Sequence, residues 1–218
     1  MFVKICGITN EDDALFAVAM GADAVGFNFV PGSTRQIAPQ IAYDITRRLP
    51  PEVLTVGIFR DEHPSRVVEI ANRSGVKAVQ LHGRETPEQS REIAHNVRYV
   101  IKAFGADSPH LARADQYGTD LVMVDSPGGG TGKLFDWNIV SDVPDTVRLI
   151  LAGGLDPDNV GAAIQAVEPW GVDVATGVEQ SPGRKDAALV RRFIANARAA
   201  APTPYLGPDD LPYDWADE

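Results

Sequence analysis

The chain has 218 residues, 44% of them hydrophobic, enough for one large domain around one substantial core. A single cysteine excludes an internal disulfide framework, and four scattered histidines argue against a structural zinc held by protein ligands alone. Thirty acids against twenty bases, a formal charge of −10, argue against nucleic-acid and anionic-membrane partners.

In chain order, Met1-Phe2-Val3-Lys4 passes straight into Cys6 and Gly7 instead of a leader, and no apolar run is long enough to span a bilayer. The expectation is a soluble, cytoplasmic protein. Short β-branched runs recur at 3–5, 24–27, 53–59, 78–81, 99–103, 121–124, 147–151 and 172–174. Most are near-continuously apolar, as strands covered on both faces are. Helical periods fill most of the gaps: 12–20, with Gly21 placed to end it, then 39–49, 64–74 and 87–95, each with a proline near its start. A shorter candidate covers 111–117, another helix opens at Asp156 or Pro157, and the last covers 185–199. The stretch 128–143, with three consecutive glycines, is the poorest helix.

Eight strands spaced by helices predict an α/β chain folded as a single (β/α)8 TIM barrel over residues 1–199, with an open doubly wound sheet as the alternative. Residues 200–218 break the rhythm. They hold four prolines, five acids and no base, half of the net charge, and read as an acidic, Pro-rich tail. Its aromatic residues Tyr205, Tyr213 and Trp215 leave it either docked or flexible.

In a closed barrel, chemistry gathers where the strands end and the following loops begin. Lys4 and Cys6 are two apart, so they project to one side of the first strand. There Lys4 would lower the thiol pKa if both face the pocket. Asp125 ends the sixth strand and serves as a pocket carboxylate, a helix cap or an ion-pair partner. Gly153 and Gly154 after the seventh strand, and Thr176 and Gly177 after the eighth, form glycine-rich turns whose amides suit a phosphate. As tight turns without a ligand they would look the same. Asp156, Asp158 and Glu179 read as caps or outward turns. His82 stands at a strand end, where a bond to substrate competes with a bond to a loop carbonyl.

Several motifs occur in one order along the chain. They are Lys4-Ile5-Cys6-Gly7-Ile8-Thr9, Gly21-Ala22-Asp23-Ala24-Val25-Gly26-Phe27, Val79-Gln80-Leu81-His82-Gly83 and Gly129-Gly130-Thr131-Gly132 with Phe135-Asp136-Trp137. Leu151-Ala152-Gly153-Gly154-Leu155, Pro157-Asp158-Asn159-Val160, Gly171-Val172-Asp173-Val174, Gly177-Val178-Glu179 and Pro182-Gly183-Arg184-Lys185-Asp186 follow. From residue 3 to about 197 the chain resembles the phosphoribosylanthranilate isomerases of tryptophan biosynthesis.

That resemblance implies a (β/α)8 enzyme without cofactor or metal. Its substrate is N-(5-phosphoribosyl)anthranilate, which an Amadori rearrangement turns into 1-(2-carboxyphenylamino)-1-deoxyribulose 5-phosphate. It implies Cys6 as general base, Asp125 as general acid and Arg35 as ligand of the anthranilate carboxylate. Gly153, Gly154, Thr176 and Gly177 match the phosphate loops, and Lys4, His82 and Asn159 join Arg35 as substrate-binding residues. The only partner implied is the small phosphosugar–anthranilate substrate. A monomer is favoured, with a homodimer as the alternative.

Three departures stand out. Ser33-Thr34-Arg35 replaces the family's usual Ser-Pro-Arg, Ala175-Thr176 replaces a pair of serines, and the acidic tail has no counterpart role. The competing readings are another phosphosugar isomerase or epimerase, a Schiff-base aldolase using Lys102, and an idle barrel acting as a scaffold. A metal-dependent epimerase lacks its histidines here, because only His82 falls at a strand end.

Overall fold

The computed structural model describes residues 1–119, 121–127 and 136–201. The glycine run at 129–132, Phe135 and the tail from residue 202 lie outside the described residues.

Eight parallel strands close in sequence order into a barrel: β1 (Phe2–Cys6), β2 (Ala24–Asn28), β3 (Leu54–Phe59), β4 (Ala78–Leu81), β5 (Tyr99–Gly105), β6 (Leu121–Asp125), β7 (Arg148–Leu151) and β8 (Gly171–Val174). Alternation divides each strand between two cores. Phe2, Leu54, Tyr99, Leu121, Met123 and Ile150 pack together in the lumen. Val3, Ile5, Val25 and Phe27, from the alternate positions, pack in a second cluster with apolar residues of the helices. Lys4 pairs in register with Ala24 on one side and Asp173 on the other, while Cys6 pairs with Gly26.

Helices α1 (Glu11–Ala19), α2 (Pro39–Thr46), α3 (Pro64–Ser74), α4 (Pro87–Ala94), α5 (Val160–Val167) and α6 (Ala187–Ala200) cover the barrel. Proline opens α2, α3 and α4, where its missing N–H has no intrahelical partner to lose. Thr86 and Gln89 close a reciprocal capping box on α4. In α6, Val190, Phe193, Ile194 and Ala197 recur at helical spacing and are buried. Each large side chain there contributes about 1.5–3 kcal/mol by leaving water. Arg198, near the end of α6, binds the carbonyls of Met1 and Gly21 and the carboxylate of Asp23, tying the last helix to the first two strands.

Four segments differ from the sequence expectation. Leu111–Tyr117 is a 3-10 segment interrupted at Arg113 and ended by Gly118 at φ +69°, and Trp137–Asp142 is a 3-10 turn. Helix α5 starts at Val160, later than Asp156 or Pro157. Asp156 Oδ1 accepts from the N–H groups of Asp158 and Asn159, and Asn159 Oδ1 accepts from Asp156 N–H. That reciprocal turn occupies the residues before the helix. After β8, the residues read as a simple turn form a hairpin, β9 (Glu179–Ser181) and β10 (Arg184–Lys185), leading into α6. Among the described residues, no helix is long and apolar enough to cross a membrane.

Candidate active site

The carboxyl ends of the strands surround a cavity of about 480 Å³. Cys6 and Asp125 both line it, as do Arg35 and His82. Gly153 and Gly154 form one stretch of its wall, and Thr176 and Gly177 the next. The structure therefore brings together eight of the ten residues singled out from sequence.

Cys6 is half-buried at the end of β1. Gly26 on the neighbouring strand makes room for it: a Cβ there would stand 2.9 Å from Cys6 Sγ and 3.2 Å from Lys4 Nζ. Burial pushes the Cys6 thiol up. The Lys4 ammonium opposes that rise, Asp173 adds to it, and Lys185 again opposes it. Lys4 thus acts in the expected direction, but burial outweighs it.

Lys4 itself is fully enclosed and bonds Asp173 Oδ1 at 2.8 Å. It is not among the residues that line the cavity and lies beside Cys6 inside the barrel. Burial works against its charge, but Asp173 and Cys6 together hold its pKa above the usual lysine value.

Asp125 is buried, with Oδ1 accepting from Ser126 N–H at 2.7 Å and Ser126 Oγ at 3.1 Å. Its Oδ2 lies 3.2 Å from His82 Nε2. That ring nitrogen is enclosed and not aligned for a hydrogen bond, while Nδ1 meets the Gln80 amide at 3.0 Å. His82 therefore faces the carboxylate, not a loop carbonyl. Gly153, at φ +85°, packs against the same aspartate: a Cβ there would come within 2.8 Å of Asp125 Oδ1 and 2.3 Å of Ser126 N.

The Gly154 N–H donates to no backbone carbonyl among the described residues, nor does that of Gly177. Gly177 lies so close to the preceding loop that a Cβ would meet Leu155 O at 2.0 Å. Asn159 does not line the cavity. Its side chain accepts from Asp156 N–H and donates to Gly154 O at 2.8 Å, bracing the loop from behind.

The Arg35 side chain folds back over Gly7, with Cδ 2.5 Å from where a Cβ would sit, and reaches loop eight, the residues that follow β8. Nε donates to Glu179 Oε1 at 2.8 Å, and Nη2 donates to Glu179 Oε2 at 2.7 Å and Thr176 Oγ1 at 3.0 Å. Glu179 is not an outward turn residue. Its side chain is 3% exposed, and Oε1 also accepts from Lys185 Nζ at 3.1 Å and Gly183 N–H at 3.2 Å. Burial alone would raise the Glu179 carboxyl, but the bonds from Arg35 and the Lys185 ammonium hold it below the usual range. Thr34 leaves the arginine's loop with bonds of its own: Ser33 N–H to Val30 O, Gln36 N–H to Ser33 O and Ile37 N–H to Asn28 O.

Sequence reading missed Glu179, Lys185 and Asp173 as site residues. Asp173 carried one signal, a charge at an inward position of an apolar strand beside another inward charge, Lys4. Lys102 offers no free amine for an imine. Its side chain is 1% exposed, and Nζ donates to Leu81 O, Gly83 O and Glu85 Oε2. Among the described residues, no group of three or more His, Cys, Asp or Glu side chains is arranged to hold a metal ion.

A closed barrel carrying a thiol, an aspartate carboxyl group and two amide loops at its carboxyl face defines a (β/α)8 enzyme for a small anionic substrate. The sequence model of the N-(5'-phosphoribosyl)anthranilate isomerases matches residues 3–196. The chain belongs to that family. It is 53% identical over 205 residues to the N-(5'-phosphoribosyl)anthranilate isomerase of Desulforudis audaxviator, covering 91% of this chain and 98% of the relative. The crystal structure of phosphoribosyl anthranilate isomerase from Thermus thermophilus superposes with a TM-score of 0.84 at 38% identity, covering 91% of this chain and 99% of that one. A phosphoribosyl anthranilate isomerase in complex with reduced 1-(o-carboxyphenylamino)-1-deoxyribulose 5-phosphate superposes at 0.82, with 44% identity and the same coverage.

Proposed function

We propose that Cys6 and Asp125 carry, as general base and general acid, the Amadori rearrangement of N-(5-phosphoribosyl)anthranilate to 1-(2-carboxyphenylamino)-1-deoxyribulose 5-phosphate. The chain is an intramolecular aldose–ketose isomerase of tryptophan biosynthesis. Ring opening leaves electron density on the furanose oxygen, and Asp125 supplies the proton there. The Ser126 N–H and Oγ fix one carboxyl oxygen and leave the other on the His82 side. Opening produces an iminium at C1, which acidifies the C2 proton. The Cys6 thiolate removes that proton, and the enolamine tautomerises to the ketose. Burial raises the thiol, and the Lys4 and Lys185 ammonium groups oppose that rise and favour the thiolate.

The phosphate is assigned to the amides of Gly154 and Gly177, with Gly153 and Thr176 shaping the same wall and Asn159 bracing it. Arg35 is assigned to the aromatic carboxylate. Its Nη1 has no protein partner among the described residues, so one edge of the guanidinium stays open for a second carboxylate. His82 is assigned to the sugar hydroxyls beside Asp125. The observation that carries the reading is that Cys6 and Asp125 line one cavity with both glycine loops. For assembly we propose a monomer. The large apolar side chains exposed among the described residues, Leu15, Ile41 and Tyr43, are too few for an extended hydrophobic interface, and the mass in solution by light scattering tests this.

The test of function is turnover by the purified chain, followed as loss of the fluorescence of the anthranilate adduct. Turnover by wild type that survives in neither Cys6→Ser nor Asp125→Asn supports the assignment. Wild-type turnover with both variants near normal overturns it.

A further inference from the structure

Arg35 and Lys185 share a single carboxylate, Glu179. Glu179 accepts four hydrogen bonds: from Arg35 Nε, Lys185 Nζ and Gly183 N–H at Oε1, and from Arg35 Nη2 at Oε2. Both Glu179 and Lys185 are almost wholly enclosed, at 3% and 2% side-chain exposure, whereas the arginine keeps 20%. Two cations against one anion leave an uncompensated positive charge, and the exposed member of the trio holds the open Nη1 edge. The bidentate pairing fixes the plane of the guanidinium as well as its place. A planar fork held on one edge presents its other edge in one orientation.

We infer that Glu179 is a positioning residue for substrate recognition, presenting Arg35 to the aromatic carboxylate while Lys185 anchors Glu179 from beneath. The inference rests on the assignment of Arg35 to that carboxylate. It gives the β9–β10 hairpin a task of its own, because Glu179 opens it and Lys185 closes it. It also ties the two anion sites together, since Arg35 Nη2 bonds Thr176 beside Gly177. An opposite role is open to the same carboxylate. Glu179 could compete with the substrate for the arginine, and removing it would then tighten binding.

The two roles differ in sign. Dissociation constants of the reduced product 1-(o-carboxyphenylamino)-1-deoxyribulose 5-phosphate and of its anilino counterpart lacking the carboxylate are measured by calorimetry. Wild type, Glu179→Gln, Arg35→Met and the double variant are compared. Positioning predicts that Glu179→Gln weakens the carboxylate ligand about tenfold or more, the scale of one charge-assisted hydrogen bond, and leaves the anilino ligand within a few-fold. In the Arg35→Met background the Glu179→Gln loss should vanish, and kcat should fall less than KM rises. Equal losses for both ligands, no loss, or tighter binding in Glu179→Gln overturns the inference. If Arg35→Met itself treats the two ligands alike, the carboxylate assignment fails and the inference with it. Should Glu179→Gln not fold, Glu179→Asp keeps the charge but draws it back by one methylene. Selective loss of the carboxylate ligand there supports positioning, and its absence refutes it.

Discussion

Replacing Lys4 with methionine removes a buried ammonium from beside Cys6 with little change in volume. Nζ and Sγ crowd the same point beside Gly26, at 3.2 and 2.9 Å from it. The two atoms therefore lie within about 6 Å of each other, and two unit charges at that separation in a medium of effective dielectric about 20 interact by about 3 kcal/mol. In wild type that attraction opposes the upward push of burial on the thiol, and Asp173 works with burial. K4M loses the attraction and keeps Asp173, so the thiol pKa should rise above the wild-type value. At a fixed pH below the wild-type value, each unit of rise removes about nine-tenths of the thiolate. The rate of Cys6 alkylation by iodoacetamide, followed by mass spectrometry across pH, reads the titration without depending on turnover. The acid limb of the kcat profile should move to higher pH in step. In K4M/D173N the repulsion is removed as well, so its thiol should titrate between those of K4M and wild type. A K4M thiol that titrates at or below the wild-type value would refute the electrostatic account of the base.

C6S should keep the fold and lose roughly 10²-fold or more in turnover, and D125N should lose turnover far more than phosphate affinity, both read by the fluorescence assay beside thermal melts. G153A, strained at φ +85° and pressed against Asp125 Oδ1, should lower kcat, while G177A, driven into Leu155 O, should chiefly raise KM. Steady-state kinetics of the pair separates the acid's support from the phosphate wall, and a kcat unchanged in G153A would contradict that division. Glu179 has a folded-state pKa below its unfolded value, so the stability it contributes is present above the ordinary glutamate value of about 4.3 and is lost as pH falls through the folded value. Melting temperatures taken down through that range should fall more steeply for wild type than for E179Q, and parallel curves would show that the carboxylate is not linked to folding.

The barrel was legible because its signals are local and repeat. β-Branched runs covered on both faces mark the strands, and prolines at 39, 64 and 87 mark helix starts to the residue. Cys6, Asp125 and the two glycine loops were legible for a related reason: a closed barrel places every strand end on one rim. Side-chain direction was another matter. Arg35 lies after β2, yet its reach is set by Gly7, whose missing Cβ lets the side chain cross the end of β1 to loop eight. Nothing periodic in sequence encodes that crossing. The β9–β10 hairpin escaped because its strands are two and three residues long and mostly polar, too short to show alternation. For Lys4 the sequence shows the side of the strand but not the depth. Spacing gives the face of a residue, and only the neighbour across the ladder, Asp173, shows where its charge ends.

The charges around Cys6 argue that this rim is arranged for chemistry at some expense of stability. Lys4 is paired inside the barrel with Asp173, and Lys185 beneath the mouth with Glu179. Moving such ions out of water costs several kcal/mol apiece, and their mutual attraction offsets that only in part, so replacing a buried pair with well-packed neutral side chains is often neutral or stabilising. The lumen below is already apolar, with Phe2, Leu54 and Tyr99, and would accept such a replacement. K4M/D173N should therefore melt no lower than wild type, within about 1 kcal/mol or above it, while K4M alone strands a buried carboxylate and should lose about 3–5 kcal/mol. If the pair served the fold, the double variant would be the one to melt early and its residual folded fraction would turn over normally. If it serves the base, the double variant stays folded and turns over slowly, with its loss recovered as pH rises and the thiol ionises. Chemical denaturation and a kcat–pH profile on the same preparation distinguish the two.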